Sequence, residues 1–235
     1  MGIVELGGAI ISEATRRVEL AAQNLANVTT SGYKSRFRFQ HLIGGDLGAP
    51  SGDTGLLSSD LSVDFTAGKL QNTGNPLDFS ISGPGFFTVR QGDQTLYTRA
   101  GQFTRDAEGR LVTSDGAVLQ AWNGDIQVSA GNVSVSADGT VQQDGQPVGQ
   151  IAIATFDDPH VLKPAGAGLF SAPVGMARDG AGGQLRQGML ESSNVTSAGQ
   201  MISMMSALRS AEAGQRLVQV YDDLMGQVIT SFEQT

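Results

Sequence analysis

The sequence predicts an α+β protein in which a helix at each end flanks a β-rich middle. Apolar residues with helical spacing near both ends predict the two helices. Between them, short alternating segments separated by turns predict strands, and glycine, at 32 of 235 residues, has about twice its usual ~7% share. We divide the chain into an N-terminal assembly helix (1–32), an extended or loop connector (33–75), a turn-rich, mainly antiparallel β domain (76–185) and a C-terminal assembly helix (186–235).

The N-terminal helix is predicted by a stripe of apolar residues. Steps of three or four residues place them on one face. The stripe consists of Leu6, Ile10, Ala14, Val18, Ala21 and Leu25. Gly32 supplies a stop, because glycine tolerates the left-handed conformation found beyond helix ends.

Aromatic and basic residues alternate directly after Gly32, which predicts a strand. One face of this strand would carry Tyr33, Phe37 and Phe39, and the opposite face would carry Lys34, Arg36 and Arg38. Such interleaving also occurs in binders of single-stranded nucleic acid. The formal net charge of −8 argues against that class, which needs a surplus of basic residues. A half-buried strand or a subunit contact is favoured, followed by a loop over residues 44–60.

Glycine turns divide the middle of the chain into short strands. Gly83-Pro84-Gly85 ends the alternating segment at 78–82, and Gly92-Asp93 separates two further strands. Glu108-Gly109 and Asp138-Gly139 predict hairpins. Many short strands joined by tight turns are typical of antiparallel β structure.

The C-terminal helix is predicted by a seam of apolar residues with alternating steps of three and four, which is typical of a coiled coil. The seam contains Met201, Met204, Leu208, Ala211, Val218, Tyr221, Met225, Val228 and Phe232. A register step near Asp222 interrupts the strict repeat. From Thr196 to Phe232 the helix would be roughly 55 Å long at ~1.5 Å per residue. Asn194 or Thr196 is its predicted N-cap.

These apolar edges have two possible partners. They could fold against the chain's own β domain as ordinary core, or they could pack against neighbouring copies in a larger assembly. The sustained seam and its polar outer face favour the second reading. We therefore predict a structural subunit.

Several classes of site are disfavoured by composition. Cysteine is absent, and His41 and His160 lie far apart and outside any cluster with metal-ligand spacing. Adjacent carboxylates occur at 157–158 and 222–223, but neighbouring side chains diverge on strands and helices alike. We predict no enzyme, no metal and no cofactor.

Membrane spans and secretory signals are not predicted either. No apolar run approaches the ~20 residues that a spanning helix needs. Charged residues interrupt the first 20 residues, which is unlike a cleaved secretory signal. A protein of this kind that works outside the cytoplasm needs another export route.

Three segments resemble the bacterial flagellar rod and hook proteins. They are Asn24-Leu25-Ala26-Asn27-Val28-Thr29-Thr30-Ser31-Gly32-Tyr33-Lys34, then Gly83-Pro84-Gly85-Phe86-Phe87 with Tyr97-Thr98-Arg99-Ala100-Gly101-Gln102-Phe103, and Gly188-Met189-Leu190-Glu191-Ser192-Ser193-Asn194-Val195. They follow the family's order and extend over the chain. The distal rod protein usually has a longer insertion after the position of Phe39. The short segment of this chain is therefore most similar to the proximal rod protein, and the distal rod protein is the alternative.

The resemblance implies a rod subunit that assembles helically with its own copies and with other rod proteins and transmits torque. It also implies export by the flagellar type III apparatus without a cleaved signal, and a place in the basal body where the rod crosses the periplasm. Motif residues join the apolar stripes in the predicted assembly interface: Asn24, Leu25, Ala26, Asn27, Gly32, Glu191, Ser193, Asn194 and Val195. A glycan-binding β domain is the alternative from a different class.

Overall fold

The structure, a computed structural model, describes residues 3–42, 57–129, 131–180 and 182–233. These residues form two compact units. The helix unit takes its described residues from Met1–Asn27, Arg36–Ser62 and Val195–Thr235. The β unit consists of Val28–Ser35 and the described part of Val63–Asn194. The chain is thus α+β, with a β-rich middle and a helix at each end, as predicted.

The helix unit contains two helices and a two-stranded sheet. The helices are α1 (Ile3–Ala26) and α2 (Ser197–Glu233), and the strands are β1 (Arg36–Leu42) and β2 (Leu57–Val63). Val63, the last residue of β2, belongs to the β unit. Because α2 begins at Ser197, Thr196 occupies the N-cap position and Asn194 lies two residues before it.

Small residues bring the two helices together. Gly7, Ala14 and Ala21, seven residues apart on α1, are buried, as are Ala207 and Gly214 on α2. A Cβ atom at Gly7 would lie 2.5 Å from Cγ2 of Val218, so the helices are too close there for any side chain. Glycine weakens a helix by about 1 kcal/mol relative to alanine. Its presence in both helices at the contact is explained by this close approach.

The β unit is built from short strands. They are β3 (Leu70–Asn72), β4 (Phe79–Ser82), β5 (Phe86–Gln91), β6 (Gln94–Thr98), β7 (Thr104–Arg105), β8 (Leu111–Val112), β9 (Val118–Ala121), β10 (Gly124–Asp125), β11 (Val133–Val135), β12 (Thr140–Gln143), β13 (Gln146–Gln150), β14 (Ile153–Thr155), β15 (Lys163–Gly166), β16 (Leu169–Ser171), β17 (Arg178–Asp179), β18 (Gln184–Gln187) and β19 (Met189–Glu191). The predicted turns at Gly92-Asp93, Glu108-Gly109 and Asp138-Gly139 lie between consecutive antiparallel strands and are confirmed.

The largest sheet has the order β15-β16-β6-β5-β9-β8-β7, with β14 and β17 attached through β5 and β10 through β9. Strands β11, β12 and β13 form a separate antiparallel meander. Two long-range pairs complete the unit: β18 pairs with β4, and β19 pairs with β3. The residues just before α2 therefore return to the first strands of the β unit.

Two apolar cores fill the β unit. The larger includes Phe79, Phe87, Phe103, Leu111, Leu119, Ile151 and Leu185, all buried. The smaller is mainly aromatic, with Phe65, Tyr97 and Phe156 packed around buried Phe86 and Phe170. Its ring centroids lie 5.0–6.2 Å apart in mostly edge-to-face geometry, the arrangement that aromatic quadrupoles favour.

The prediction of a strand directly after Gly32, with its aromatic and basic residues on opposite faces, is wrong. Strand β1 begins only at Arg36, Tyr33 and Lys34 are both buried, and Phe37 is 41% exposed. The alternation of neighbouring residues gives no information on the partner of Lys34, because that partner, Glu191, lies far along the chain. The loop predicted at 44–60 is wrong for residues 57–60, which belong to β2 because β1 supplies a pairing edge. Residues 43–56 lie outside the described part.

Candidate functional site

The three family-like motifs meet at one carboxylate in the β unit. Glu191, at the end of β19, accepts a hydrogen bond from Lys34 Nζ at 2.6 Å and one from Arg99 Nη1 at 3.3 Å. The backbone N–H of Gly68 donates to the same carboxylate at 2.9 Å. Each motif thus supplies one charged member of the cluster: Lys34 the first, Arg99 the second and Glu191 the third.

This three-residue charged cluster is almost fully buried. The side chains of Lys34 and Glu191 are each 1% exposed, and that of Arg99 is 8% exposed. Burial lowers the pKa of Lys34 below its ordinary value, because removing the ammonium from water disfavours its charge, while Glu191 acts in the opposite direction. Burial lowers the pKa of Arg99 for the same reason.

Backbone carbonyls provide the remaining acceptors for the two cations. Lys34 donates to the carbonyl of Thr66 at 2.7 Å. Arg99 donates to the carbonyls of Ile81 at 3.1 Å and Gly83 at 2.7 Å. Its guanidinium carbon also lies 5.1 Å from the centroid of the Phe86 ring, a cation–π contact. Five segments of the β unit, around residues 34, 66–68, 81–86, 99 and 191, are therefore held to one buried centre.

Gly32 fixes the approach of the first motif to this centre. Its φ of +69° lies in the left-handed region, and its N–H donates to the carbonyl of Glu191 at 2.7 Å. A side chain here would also overlap the backbone of Arg99 and Ala100. Only glycine meets both the conformational and the steric requirement.

Asn194 joins the same part of the β unit through its side-chain amide. Its Oδ1 accepts from the N–H of Ser35 at 2.7 Å. Its Nδ2 donates to the carbonyls of Asp64 at 2.8 Å and Thr66 at 3.2 Å. The amide therefore links three backbone segments, a use that depends on its combined donor and acceptor groups.

Asn24 has a similar role within the helix unit. It is buried, its Oδ1 accepts from the N–H of Arg36 at 3.0 Å, and its Nδ2 donates to the carbonyl of Arg36 at 2.8 Å. It also reaches Gln200 Oε1 at 3.3 Å. The amide thus connects α1, β1 and α2. Asn27 instead donates to the carbonyl of Gln23, in the last turn of α1.

The residues of the predicted assembly interface differ widely in exposure. Buried in the structure are Ala14, Asn24, Gly32, Glu191 and Val195. Half-buried are Ile10, Val18, Leu25, Asn27, Ser193, Asn194, Met204, Ala211, Val218 and Tyr221. Exposed are Leu6, Ala26, Met201, Leu208 and Met225. The side chains of Val228 and Phe232 lie outside the described part. As contacts with other subunits, all of these remain predictions.

Residue patterns alone missed the cations of the cluster and the helix-contact glycines. The motifs contain Lys34 and Arg99, but their local pattern predicts no buried ion pair for either, and it predicts no contact for Gly7 or Gly214. A usable signal was available in each case. Every motif carries a charged residue, and glycine inside an apolar helix pattern indicates close packing.

The described residues contain no group of three or more side chains suited to hold a metal ion. In the described portions of α1 and α2, no stretch is apolar and long enough to cross a membrane.

Comparison with known proteins places the motifs in a family. Residues 80–143 match the model of the flagellar hook protein FlgE/F/G D1 domain, and residues 186–231 match that of the flagellar basal body rod FlgEFG protein C-terminal region. The flagellar basal-body rod protein FlgG of Bacillus subtilis (strain 168) is 32% identical, over 91% of this chain and 92% of the relative. The chain belongs to the flagellar basal-body rod protein family.

Further relatives from this family match nearly as well. FlgG of Borreliella burgdorferi is 33% identical over 89% of this chain and 90% of the relative. The rod protein FlgF of Caulobacter vibrioides is 31% identical over 86% of both chains. As a member of the basal-body rod family, the chain is a structural component of the flagellum and not an enzyme.

Proposed function

We propose that this rod protein is a subunit of the proximal type, which assembles helically with its own copies and with other rod proteins and transmits torque. Family membership supports a structural role in the basal body. The division into assembly helices, connector and β domain at 1–32, 33–75, 76–185 and 186–235 belongs to the same proposal. The observation that carries self-assembly is an apolar surface left open on the helix unit.

This surface, here called the outer patch, lies on the first half of α2. It consists of Met201, Ile202, Met205 and Leu208, which are 49–63% exposed. Met205 lies three or four residues from each of the other three, which makes it their neighbour on one side of the helix. Ala207 lies on the other side of the same turns and is buried. The helix thus has one apolar face that the unit covers and a second that it leaves in water.

Burial of the outer patch against another subunit supplies a driving force for assembly. Covering a large apolar side chain yields on the order of 1.5–3 kcal/mol, less the entropy cost of association. Met201 and Leu208 belong to the predicted coiled-coil seam, whereas Met204 and Ala211 of that seam are half-buried. We therefore propose that coiled-coil packing between subunits uses the exposed part of the seam.

Replacement of Leu208 by aspartate tests this assembly surface. Because Leu208 is half in water already, we expect Leu208→Asp to leave the monomer folded, with an unchanged circular dichroism spectrum and melting temperature. Burying the new carboxylate between subunits is costly, so we expect a strain carrying this variant to be non-motile and to lack complete rods in electron micrographs.

Ser203→Asp is the matched control. It introduces the same charge on the same helix, and Ser203 lies three or four residues from no member of the outer patch, so it is not a surface neighbour of that patch. Ser203 is exposed. Normal rods with Leu208→Asp, or equal defects in both strains, would contradict the proposal.

The position along the rod and the export route can be examined in one preparation. Relatives named FlgG and FlgF match at similar identity, so the assignment to the proximal type depends on the short segment after Phe39. In basal bodies that carry a labelled chain, we expect the label at the rod end nearest the cytoplasm. We also expect the mass of the chain to show no cleaved signal. A distal label would favour the distal type, and a shortened N-terminus would contradict signal-independent type III export.

A further inference from the structure

Residues Gln184–Asn194, here called the closing segment, complete the β unit from its C-terminal end. All four residues of β18 pair with β4, and all three residues of β19 pair with β3. Between these strands, the N–H of Gly188 donates to the carbonyl of Asp78 at 2.8 Å. Leu185 is buried in the larger core. Among the described strands, those that pair with β3 and β4 both come from this late part of the chain, while the N–H of Phe79 in β4 also donates to the carbonyl of Gly101 at 2.9 Å.

The closing segment also supplies the carboxylate for the buried cations. Among the described residues, Glu191 is the acidic residue that forms ion pairs with Lys34 and Arg99. A folded β unit without it would retain two buried cations held by backbone carbonyls and, for Arg99, by the ring of Phe86. Removing one partner from a buried ion pair is strongly destabilising, since the remaining charge has lost its solvent without compensation.

We propose that the closing segment acts as a folding clasp, so that the β unit does not reach its native state until residues 184–194 have joined it. Hairpins such as β5–β6 and the β11–β13 meander are local in sequence and can form early. The pairing of β3 with β19, the pairing of β4 with β18 and the ion pairs of Glu191 each join residues more than 90 positions apart, so they form last. A chain growing from its N-terminus stays open until most of its length is present.

A cut full-length protein tests this order of folding. Val174 is fully exposed between β16 and β17, so a protease site inserted after it can be cleaved in the folded protein. The two pieces, 1–174 and 175–235, are then separated in denaturant and returned to buffer. Trp122, the sole tryptophan of the sequence, lies between β9 and β10 and reports on the β unit by its fluorescence.

We expect fragment 1–174 alone to show no native Trp122 signal and no cooperative unfolding transition. Adding fragment 175–235 should restore both. The same fragment with Glu191→Gln should bind roughly a hundredfold more weakly, the equivalent of about 3 kcal/mol for an unpaired buried charge. Glu212→Gln removes an exposed carboxylate from the same fragment and should restore the signal like the wild type.

Two results would overturn the clasp. One is a native Trp122 signal with cooperative unfolding in fragment 1–174 alone. The other is equal restoration by the wild-type and Glu191→Gln fragments. In the first case the β unit would close without the strands of the closing segment, and in the second it would close without the charge of Glu191.

Discussion

Glu191→Gln in the full-length chain is expected to lower the melting temperature of the β unit by about 6 °C or more. The substitution keeps the size of the side chain but removes its charge. Lys34 and Arg99 then remain buried without a carboxylate, which costs about 3–5 kcal/mol. For a unit of this size, 1 kcal/mol corresponds to roughly 2–8 °C in melting temperature.

The measurement is thermal unfolding of the monomer, followed by Trp122 fluorescence and near-ultraviolet circular dichroism. Glu212→Gln serves as the matched control, because Glu212 is exposed on α2 and the same chemical change there removes no buried partner. The control should melt within about 1 °C of the wild type, as surface changes usually do. A Glu191→Gln variant that melts with the control would show that the buried cations need no carboxylate.

Gly214→Leu is expected to separate the two helices of the monomer. A Cβ atom at Gly214 would lie 3.0 Å from Cγ1 of Ile11 and 3.1 Å from Cγ2 of Ile10, and leucine adds three further carbons in that direction. Overpacking of a close contact costs roughly 1–3 kcal/mol or more. Without packing against each other, the two helices would be only marginally stable in water, because most helical stability in proteins comes from tertiary contacts. We expect loss of helical circular dichroism and of motility, with the β unit still folded.

Gly226→Leu is the matched control for Gly214→Leu. The same substitution lies further along α2, where a Cβ atom meets nothing within 4 Å. Leucine is the better helix former by nearly 1 kcal/mol, so the control should raise helical content slightly. Both variants gain helix propensity and differ in the contact with α1. Equal helical content in the two monomers would mean that the Gly214 contact does not hold the helices together.

The sequence determined the elements whose causes are local. Apolar steps of three and four residues predicted helices at both ends, since a helix turns once in 3.6 residues. Glycine-containing turns such as Gly92-Asp93 placed strand ends, because their backbone conformations are open to few other residues. The residues of the three motifs and their order along the chain also indicated the family.

Tertiary structure alone decided which side chains lie inside. Alternation placed Lys34 with Arg36 on the face opposite Tyr33, yet Lys34 and Tyr33 are both buried, and Lys34 pairs with Glu191 at 2.6 Å, 157 residues along the chain. Likewise, the helical period grouped Met204 with Leu208 in one seam, but in the packed helix unit Leu208 is exposed and Met204 is half-buried. A repeat in the sequence fixes the direction of a side chain relative to its neighbours. What then covers or pairs with it depends on segments that local pattern does not connect.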